Sequence, residues 1–359
     1  MTPSIETRLL DAIRQNPLAS QQQLADQLGL SRESVAGHIM RLTRQGKILG
    51  KGYLLPEGEQ MVVLGGANVD LTGQSSAAFL PADSNPGSLR QSAGGVGRNI
   101  AENLARLGHN VSLISLIGRD PGGDWLSERI RLAGIGIDGL LRDPDLPTST
   151  YLAMNDANGQ LVGAIADMGI IDALTPQRLA PLQSRLVAAD TLVVEANLSA
   201  ETLAWVGTLP LRGRLYADAV SATKAPRLRP LLSKLRALKV NRSEAAAILN
   251  ATNLDDDQLL SRLHEAGVDQ LVLSLGSDGV LLSRAEDRHQ QAPYRVELHN
   301  DTGAGDALFA GILHAALSGG DLAAQAAFGL GCAGLTLETD GANHPDLTET
   351  SVQQWIENR

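Results

Sequence analysis

Strand-like and helical runs alternate along most of this 359-residue chain, and this alternation constrains the fold more than any other feature. The apolar, β-prone runs are NVSLISLIG, TLVVEAN, RLYADAV, ALKVN and QLVLSLG, and the helical patterns between them include ENLARL, QRLAPLQSRL, APRLRPLLSKL and DQLLSRLHEAG. Such alternation predicts βαβ units in an α/β fold, a doubly wound and mainly parallel sheet with helices on both faces. Because ligands bind at the carboxyl ends of the strands in such sheets, we expect a site there.

Two stretches interrupt this alternation, roughly residues 70–95 and 148–168. The second, TSTYLAMNDANGQLVGAIADM, alternates like a β-hairpin, and the first, LTGQSSAAFLPADSNPGSLRQSAGG, would pair beside it. We expect the two to form a small β lid over the site. The run MVVLGGANVD before them is interpreted as the opening strand of the main sheet.

The first 57 residues have a different pattern, which predicts a separate domain before residues 58–359. IETRLLDAIRQ has the apolar spacing of a helix, Ser20 is placed to cap QQQLADQLGL, and Ser31 is placed to cap RESVAGHIMRLTRQG before Gly46. The following KILGKGYLL alternates like a small hairpin, and Pro56 to Glu59 would form the joint. This segment resembles a winged helix-turn-helix.

That resemblance implies that the third helix enters the major groove of duplex DNA. Ser31, Arg32, Ser34 and His38 would lie near the base edges, and Arg41, Arg44, Lys47 and Lys51 would meet phosphates. Because two-fold DNA sites need two copies, the expected state is a homodimer. Residues 1–60 carry seven Lys or Arg and six Asp or Glu. With so little net charge, the alternative that the segment only packs on the other domain or a second subunit stays open.

Composition restricts where the protein acts. A formal net charge of −10 argues against wrapping nucleic acid with the whole surface. The start of the chain lacks the pattern of a signal peptide, and no apolar run approaches the roughly 18 residues needed to span a bilayer. We therefore expect a cytoplasmic protein without a membrane partner.

The stretch HNDTGAGDALFAG, His299 to Gly311, carries the strongest chemical signal. Small residues at Gly303, Ala304 and Gly305 leave backbone amides uncovered at the start of an apolar helix, which makes an anion seat. Asp306 inside that seat would accept the proton of a hydroxyl that attacks a phosphorus atom, while the amides stabilise the phosphoryl group. An ordinary N-capping aspartate after a glycine turn is the alternative.

DTGAGDALFAG resembles the C-terminal signature of the ribokinase-like, PfkB-type carbohydrate kinases, and AGGVGRNIAENLARLG and GGANVDLTG resemble that family's N-terminal motifs. The resemblance runs from Met61 to the end of the chain. It implies that Asp306 is the general base and that residues 303–305 form the anion hole. It further implies sugar contacts from Asp70, Gly94, Gly95 and Asn99, and a monovalent cation such as K⁺ near Asp301.

Two further motifs are assigned to ATP by the same resemblance. In KVNRSEA, Asn241 and Glu244 would position Mg²⁺ and phosphates, which suits carboxylate and amide oxygens; a helix capping box would look similar. In LSLGSDGV, Ser274, Gly276 and Gly279 would line the nucleotide, although a Gly-x-x-Gly turn is weak evidence alone.

GGVGRNIAENLARLG, ADMGIIDALTP and ADAVSATKAPRL resemble the pseudouridine kinase branch of the family. Lys224 would then reach substrate or phosphate, and it is grouped with the ATP residues, while Asp167 would contact the nucleoside. A solvated lysine and an exposed strand-end acid are the alternatives. Gly97 and Ala219 stand where that branch would have alanine and proline, which leaves the base preference open.

These motifs predict an ATP- and Mg²⁺-dependent kinase of the 5′-hydroxyl of a nucleoside, with pseudouridine as the first candidate. One rival keeps the fold and changes the acceptor to inosine, guanosine or another ribosyl compound. A rival of another class is a DNA-binding transcription regulator that only senses its ligand. Such a sensor would not need the complete set of Asp306, Asn241, Glu244 and the anion seat.

Overall fold

The computed structural model describes residues 4–49 and 59–359. The predicted domain boundary at 57 and 58, the greater part of the predicted wing, Lys51, and Pro56 to Gly58 of the predicted joint lie outside the described residues.

Three short helices form the N-terminal part, and each begins at a serine whose hydroxyl accepts a hydrogen bond from a backbone N–H of the first turn. Gly29 ends the second helix in the left-handed conformation, with φ of 66°. Buried residues from all three helices form a separate small apolar core. The helix-turn-helix is therefore present, although its third helix ends two residues before Gly46. The helices are α1 (Ile5–Gln15), α2 (Gln21–Leu28) and α3 (Arg32–Arg44).

The rest of the described chain forms two sheets connected by helices. The strands are β1 (Gln60–Leu64), β2 (Asn68–Ser75), β3 (Gly87–Gly94), β4 (Asn110–Gly118), β5 (Gly136–Asp143), β6 (Thr150–Asn155), β7 (Leu161–Asp167), β8 (Thr191–Glu195), β9 (Arg214–Asp218), β10 (Leu235–Asn241), β11 (Gln270–Ser274), β12 (Val280–Arg284) and β13 (Asp287–Gln291). The helices are α4 (Val96–Arg106), α5 (Pro121–Leu132), α6 (Pro176–Leu179), α7 (Gln183–Ala188), α8 (Ala200–Thr208), α9 (Arg242–Leu249), α10 (Asp256–Glu265), α11 (Ala304–Leu317), α12 (Leu322–Leu337) and α13 (Glu349–Glu357).

The main sheet has nine strands in the order β13-β12-β11-β10-β9-β8-β1-β4-β5. Neighbours from β5 to β11 pair in parallel, and β12 and β13 add antiparallel strands at one edge. Alternate residues of one strand enter different apolar cores: Val62 and Leu64 belong to the core that contains residues of α8 and α10, whereas Met61 and Val63 belong to the core that contains residues of α4 and α11. The predicted α/β sheet with helices on both faces is confirmed.

The second sheet has four strands in the order β3-β2-β6-β7. β6 and β7 are antiparallel, as the hairpin pattern predicts, and β2 joins them by pairing with β6 in parallel. β3 completes the sheet as an antiparallel neighbour of β2. The two segments that interrupt the βαβ alternation thus pair with each other.

Two elements differ from the sequence prediction. MVVLGGANVD is two strands in different sheets, because the chain turns at Gly65 and Gly66, where the Gly66 N–H donates to buried Glu195. The predicted helix APRLRPLLSKL is a 3₁₀ helix over Ala225–Lys234, since Pro230 inside it provides no N–H for an α-helical hydrogen bond.

The end of α3 contacts the large domain. A Cβ on Gly46 would lie 2.5 Å from Cβ of Ala188 and 2.9 Å from the carbonyl oxygen of Ser184, so glycine allows α7 to approach this closely. The helix-turn-helix therefore packs on the rest of the chain, as one of the two interpretations of this segment required. Among the described residues, no helix has the length and apolar character to cross a bilayer.

Candidate functional site

Asp306 is the third residue of α11, and its side chain is buried, with only 7% of the residue exposed. The helix is preceded by Gly303 in the left-handed conformation, with φ of 83°. A Cβ at Gly303 would lie 2.0 Å from the carbonyl oxygen of Ala342, so only glycine fits this close approach. The first N–H groups of α11 have no intrahelical carbonyl to bond, and they carry the positive end of the helix dipole. Asp306 therefore lies beside a backbone anion seat.

Asn99 connects Asp306 with the glycine-rich segment before α4. Its Nδ2 donates to Oδ2 of Asp306 at 2.7 Å, although 207 residues separate the two in sequence. Both side chains are buried. The N-terminal and C-terminal signatures of the sequence thus meet in one hydrogen bond.

Asp70 lies on β2, where its carboxylate accepts a hydrogen bond from Nδ2 of Asn68 at 2.5 Å. A Cβ at Gly94 would lie 2.1 Å from Oδ2 of Asp70, so the glycine leaves the space that this carboxylate occupies. A Cβ at Gly95, where φ is 99°, would lie 2.5 Å from the carbonyl oxygen of Gly66. Burial raises the pKa of Asp70, and the hydrogen bond from Asn68 and the charge of Arg98 oppose that rise. Glycine is therefore required at positions 94 and 95 because the carboxylate of Asp70 and the backbone of Gly66 lie too close for a side chain.

One cavity of about 370 Å³ brings many of the predicted residues together. Asp70, Gly95, Asn99, Lys224, Gly303 and Asp306 line it, and sequence reasoning missed Asn68, Tyr151, Asn197 and Thr302, which line it as well. Tyr151 comes from β6 of the four-stranded sheet, so that sheet contributes to one wall. The cavity holds carboxylate, amide and hydroxyl groups beside the anion seat, which suits a polar acceptor with several hydroxyls.

Two buried charges that were also missed lie beside Asp306. Nζ of Lys239 is 3.0 Å from Oδ2 of Asp218, and the two residues are register partners on the neighbouring parallel strands β10 and β9. Burial, with the negative charge of Asp218, raises the pKa of Asp306 to about 7, while Lys239, Asn99 and Arg98 oppose that rise. Lys239 stays charged, because the surrounding carboxylates outweigh its desolvation and raise its pKa to about 12. The signal available in the sequence was a charged residue inside each of the strand-like runs RLYADAV and ALKVN.

Glu195 is another buried acid, and it binds backbone groups of two loops that line the cavity. Glu195 ends β8, and its two carboxylate oxygens accept hydrogen bonds from the N–H groups of Gly66 at 2.5 Å and Asn197 at 2.6 Å. Burial raises the pKa of Glu195 to about 7, which these two hydrogen bonds oppose. Oδ1 of Asn197 in turn accepts a hydrogen bond from Nζ of Lys224 at 2.5 Å. Glu195 therefore fixes two loops that line the cavity.

Asn241 and Glu244 form the capping box of α9. Oδ1 of Asn241 accepts from the N–H of Glu244 at 2.9 Å, and Oε2 of Glu244 accepts from the N–H of Asn241 at 2.8 Å. The structure therefore contains the helix capping box that was the alternative interpretation of this motif. It does not conflict with a magnesium role, since the box uses one carboxylate oxygen of Glu244, and Mg²⁺ in phosphate sites keeps several waters and needs few protein ligands. An oxygen-only pair of this kind fits such an ion.

The residues predicted to bind ATP lie at the same edge of the sheet. Asn241 and Ser274 are register partners at the carboxyl ends of β10 and β11. Gly276 and Gly279 frame the turn that follows, with φ of 61° and 90°, and a Cβ at Gly279 would lie 2.0 Å from the carbonyl oxygen of Gln291. The structure groups these residues together, outside the lining of the 370 Å³ cavity.

Three further predicted residues are Lys224, Asp167 and Asp301. Lys224, which is predicted with the ATP residues, instead lines the cavity with Asp70 and Asp306, because its Nζ donates a hydrogen bond to Oδ1 of Asn197. Asp167 is exposed at the end of β7, next to Met168 of the cavity lining, and its nucleoside contact stays a prediction. Asp301 is exposed in the loop before α11, and its cation role stays a prediction.

The residues predicted to bind DNA do not all point to open solvent. Arg32 and Arg44 of α3 are exposed, and Ser34 is half-buried. Nε of Arg41 is 3.0 Å from Oε1 of Glu6 in α1, and an Nη of Arg41 is 2.9 Å from Nδ1 of His38. In this arrangement Arg41 and His38 are engaged within the domain, and Arg41 would reach a phosphate only by leaving Glu6.

Comparison with known proteins agrees with the geometry. Residues 59–349 match the model of the pfkB family carbohydrate kinases, and residues 4–48 match a winged helix-turn-helix DNA-binding model.

Two relatives come from Escherichia coli (strain K12). The uncharacterized sugar kinase YeiI is 37% identical over 98% of this chain and 98% of its own length. The pseudouridine kinase is 36% identical over 84% of this chain and 98% of its own length. Among solved structures, Arabidopsis thaliana ribokinase complexed with ribose and ATP has a TM-score of 0.72 at 21% identity, covering 84% of this chain and 99% of that chain, which shows a shared fold. The chain therefore belongs to the pfkB family of carbohydrate kinases, phosphotransferases that act on a sugar or nucleoside hydroxyl group.

Proposed function

We propose that this enzyme transfers the γ-phosphoryl group of ATP to the 5′-hydroxyl of pseudouridine. The observation that carries the proposal is the meeting of Asp70, Asn99 and Asp306 in one cavity beside the anion seat of α11. The relative of 36% identity that is a pseudouridine kinase supports the choice of acceptor. The ribokinase complexed with ATP supports the choice of donor.

In this mechanism Asp70 binds ribose hydroxyls, and the carboxylate of Asp306 accepts the proton of the 5′-hydroxyl. The hydroxyl oxygen attacks the γ-phosphorus as the bond from that phosphorus to the bridging oxygen of ADP breaks, so that ADP leaves. Asn99 holds Oδ2 of Asp306 at 2.7 Å, which fixes the carboxylate for that transfer. The uncovered amides of residues 303–305 stabilise the negative charge on the transferring phosphoryl group. The four-stranded sheet acts as the lid, over roughly residues 70–95 and 148–168, and excludes water from the cavity.

Mg²⁺ is the metal that this mechanism requires, and it would neutralise charge on the phosphates of ATP. Asn241 and Glu244 would hold it through water or phosphate oxygens, because their capping box uses one carboxylate oxygen of Glu244. Ser274, Gly276 and Gly279 would line the nucleotide at the neighbouring strand end.

The acceptor is proposed from the polar lining of the cavity. Pseudouridine differs from uridine by one additional ring N–H, because its base is attached through carbon. The amides of Asn68 and Asn197 and the ammonium group of Lys224 line the cavity and offer both acceptors and a donor to the edges of a base. A site that pairs with a ring N–H discriminates strongly against an analogue that lacks it.

We expect purified protein to phosphorylate pseudouridine in the presence of ATP and Mg²⁺ with a higher kcat/KM than for uridine, inosine or ribose. ADP release measured over this panel checks the expectation, with Asp306→Asn protein as the blank. Preference for inosine, guanosine or ribose would keep the mechanism and replace the acceptor. Absence of turnover with every acceptor would contradict the proposal.

A second function is favoured by the helix-turn-helix, namely binding of duplex DNA as a regulator. The winged helix model covers residues 4–48, and the relative that is aligned over 98% of both chains shares this region. Arg32 and Arg44 present exposed guanidinium groups on α3. Reading of a two-fold site would need two copies of α3, so the homodimer belongs to this proposal.

For a mixed-sequence DNA duplex, we expect log K to fall as log salt rises, because Lys and Arg displace counterions from phosphates. Loss of one phosphate contact reduces that slope by about 1, so Arg44→Ala should flatten it. Arg14→Ala is the matched control, since Arg14 is an exposed arginine that pairs with Asp11 of its own helix α1. Fluorescence anisotropy across a salt series measures the slope. A slope near zero for the wild type, or equal slopes for all three proteins, would argue against DNA contact through α3.

A further inference from the structure

Arg98 lies directly behind the candidate active site and has no role in the mechanism described above. It is the third residue of α4, and only 3% of it is exposed. Its guanidinium group donates to the carbonyl oxygens of Ala93 at 2.6 Å and Gly94 at 3.3 Å. It also donates to the carboxylate of Glu102 and to Oδ1 of Asn99. A buried cation with this many partners is held in one orientation.

The contact with Asn99 decides which way that amide faces. An asparagine side chain has one oxygen, which accepts hydrogen bonds, and one NH₂ group, which donates them. Because the guanidinium of Arg98 occupies Oδ1, the NH₂ group faces Asp306 and donates to its Oδ2. The reversed amide would bring an NH₂ group against a guanidinium and an oxygen against a carboxylate. Both of those contacts are repulsive.

We propose that Arg98 is a positioning residue for phosphoryl transfer, which acts through Asn99 to orient Asp306 and anchors the end of lid strand β3 at the same time. The inference rests on the proposed role of Asp306 as the base. Ala93 and Gly94 are the last two residues of β3. The side chain of Arg98 therefore binds both the end of this strand of the four-stranded sheet and the amide of Asn99, which holds Asp306.

The charges around this group give the proposal a measurable signature. Asp306 faces Arg98 of α4, Asp218 of β9 and Lys239 of β10, and Arg98 faces Asp70 of β2 and Glu102 of its own helix. The positive charge of Arg98 lowers the pKa of Asp306, against the larger upward effect of burial. Removal of that charge therefore raises the pKa of the base. Since the base must be ionised to accept a proton, activity would then begin to rise only at a higher pH.

The experiment compares Arg98→Met with Arg106→Met on the full chain. Arg106 lies one helical turn after Glu102 and donates to its carboxylate. It therefore shares the ion-pair network of Arg98, but its hydrogen bonds do not include Asn99. In either variant Glu102 keeps one arginine partner, and neither leaves an unpaired buried acid. For Arg98→Met we expect kcat to fall by about 10- to 100-fold, as is usual when reacting groups are misplaced. The ascending limb of kcat against pH should also move to higher pH. Arg106→Met should keep the wild-type limb.

A wild-type kcat and pH limb in Arg98→Met would overturn the proposal, as would an equal shift in Arg106→Met. Thermal unfolding shows whether Arg98→Met is folded. If it is not, Arg98→Lys decides the question, because lysine keeps the charge and loses the fork that binds Asn99 and the two carbonyls together. Arg98→Lys should keep the wild-type pH limb and lose kcat, and full kcat in that variant would contradict the proposal.

Failure of this inference differs from failure of the proposed function. If Asp306→Asn is inactive while the Arg98 variants behave as wild type, only the role of Arg98 is wrong. If the wild type itself is inactive, the proposed function is wrong and this inference with it.

Discussion

Asp306→Asn is expected to lower kcat for nucleoside phosphorylation by about 100- to 10,000-fold, the usual contribution of a positioned general base. Asparagine has the same shape as aspartate but cannot accept the proton of the 5′-hydroxyl. Its amide oxygen can still accept the hydrogen bond that Nδ2 of Asn99 donates to Asp306 at 2.7 Å. The cavity should keep its shape, so the dissociation constant of the nucleoside, measured by calorimetry without ATP, should change little.

The fold should tolerate this substitution. Burial disfavours the charged form of Asp306, which is why its pKa is raised, so a neutral side chain costs the folded state little. Asp138→Asn is the matched control, because it makes the same chemical change at an exposed position of β5. Turnover by Asp306→Asn within a few-fold of the control would remove Asp306 from the base role. Weak nucleoside binding would show instead that the side chain serves the ground state.

The sequence predicts the parts of this fold that depend on local pattern. The β4 run NVSLISLIG and the β6–β7 hairpin are both present, because periodicity and turn residues act over a few neighbours. MVVLGGANVD fails for the opposite reason. Its apolar pattern continues through Gly65 and Gly66, while the turn there is fixed by Glu195, which lies 129 residues away from Gly66.

The site divides in the same way. Asp70, Asn99 and Asp306 lie in motifs that resemble those of the carbohydrate kinase family, and the structure brings the three residues to one cavity. Lys239 and Asp218 lie in KVNRSEA and ADAVSATKAPRL, but the family resemblance gives them no role there, and they meet only because β9 and β10 are parallel neighbours in a particular register. Lys224 lies in one of the quoted motifs, but its place in the cavity depends on a hydrogen bond to Asn197, 27 residues earlier in the chain. Pairs formed by sheet register cannot be predicted from the spacing of residues along the chain.

Lys239→Met should produce the largest loss of stability among the substitutions considered. Lys239 is the cation of a buried pair, 3.0 Å from Oδ2 of Asp218, and the side chains are 11% and 1% exposed. Methionine fills a similar volume but leaves the carboxylate of Asp218 unpaired, close to Asp306 and Glu195. Breaking a buried pair by removing one partner costs about 3–5 kcal/mol, so we expect a loss of that size in the free energy of unfolding in urea near neutral pH.

The double variant Lys239→Met with Asp218→Asn separates pairing from packing. Asparagine keeps the acceptor for the N–H of Val220, which Oδ1 of Asp218 binds at 2.8 Å, and it removes the unpaired charge. Since replacing both members of a buried pair is often nearly neutral, most of the lost stability should return. Arg131→Met is the surface control, because its exposed pair with Glu128 is screened by solvent and should contribute far less. A small loss in Lys239→Met, or no recovery in the double variant, would mean that the lysine stabilises the fold through packing and not through its charge. The negative charges around Asp306 would then have to be compensated by another group.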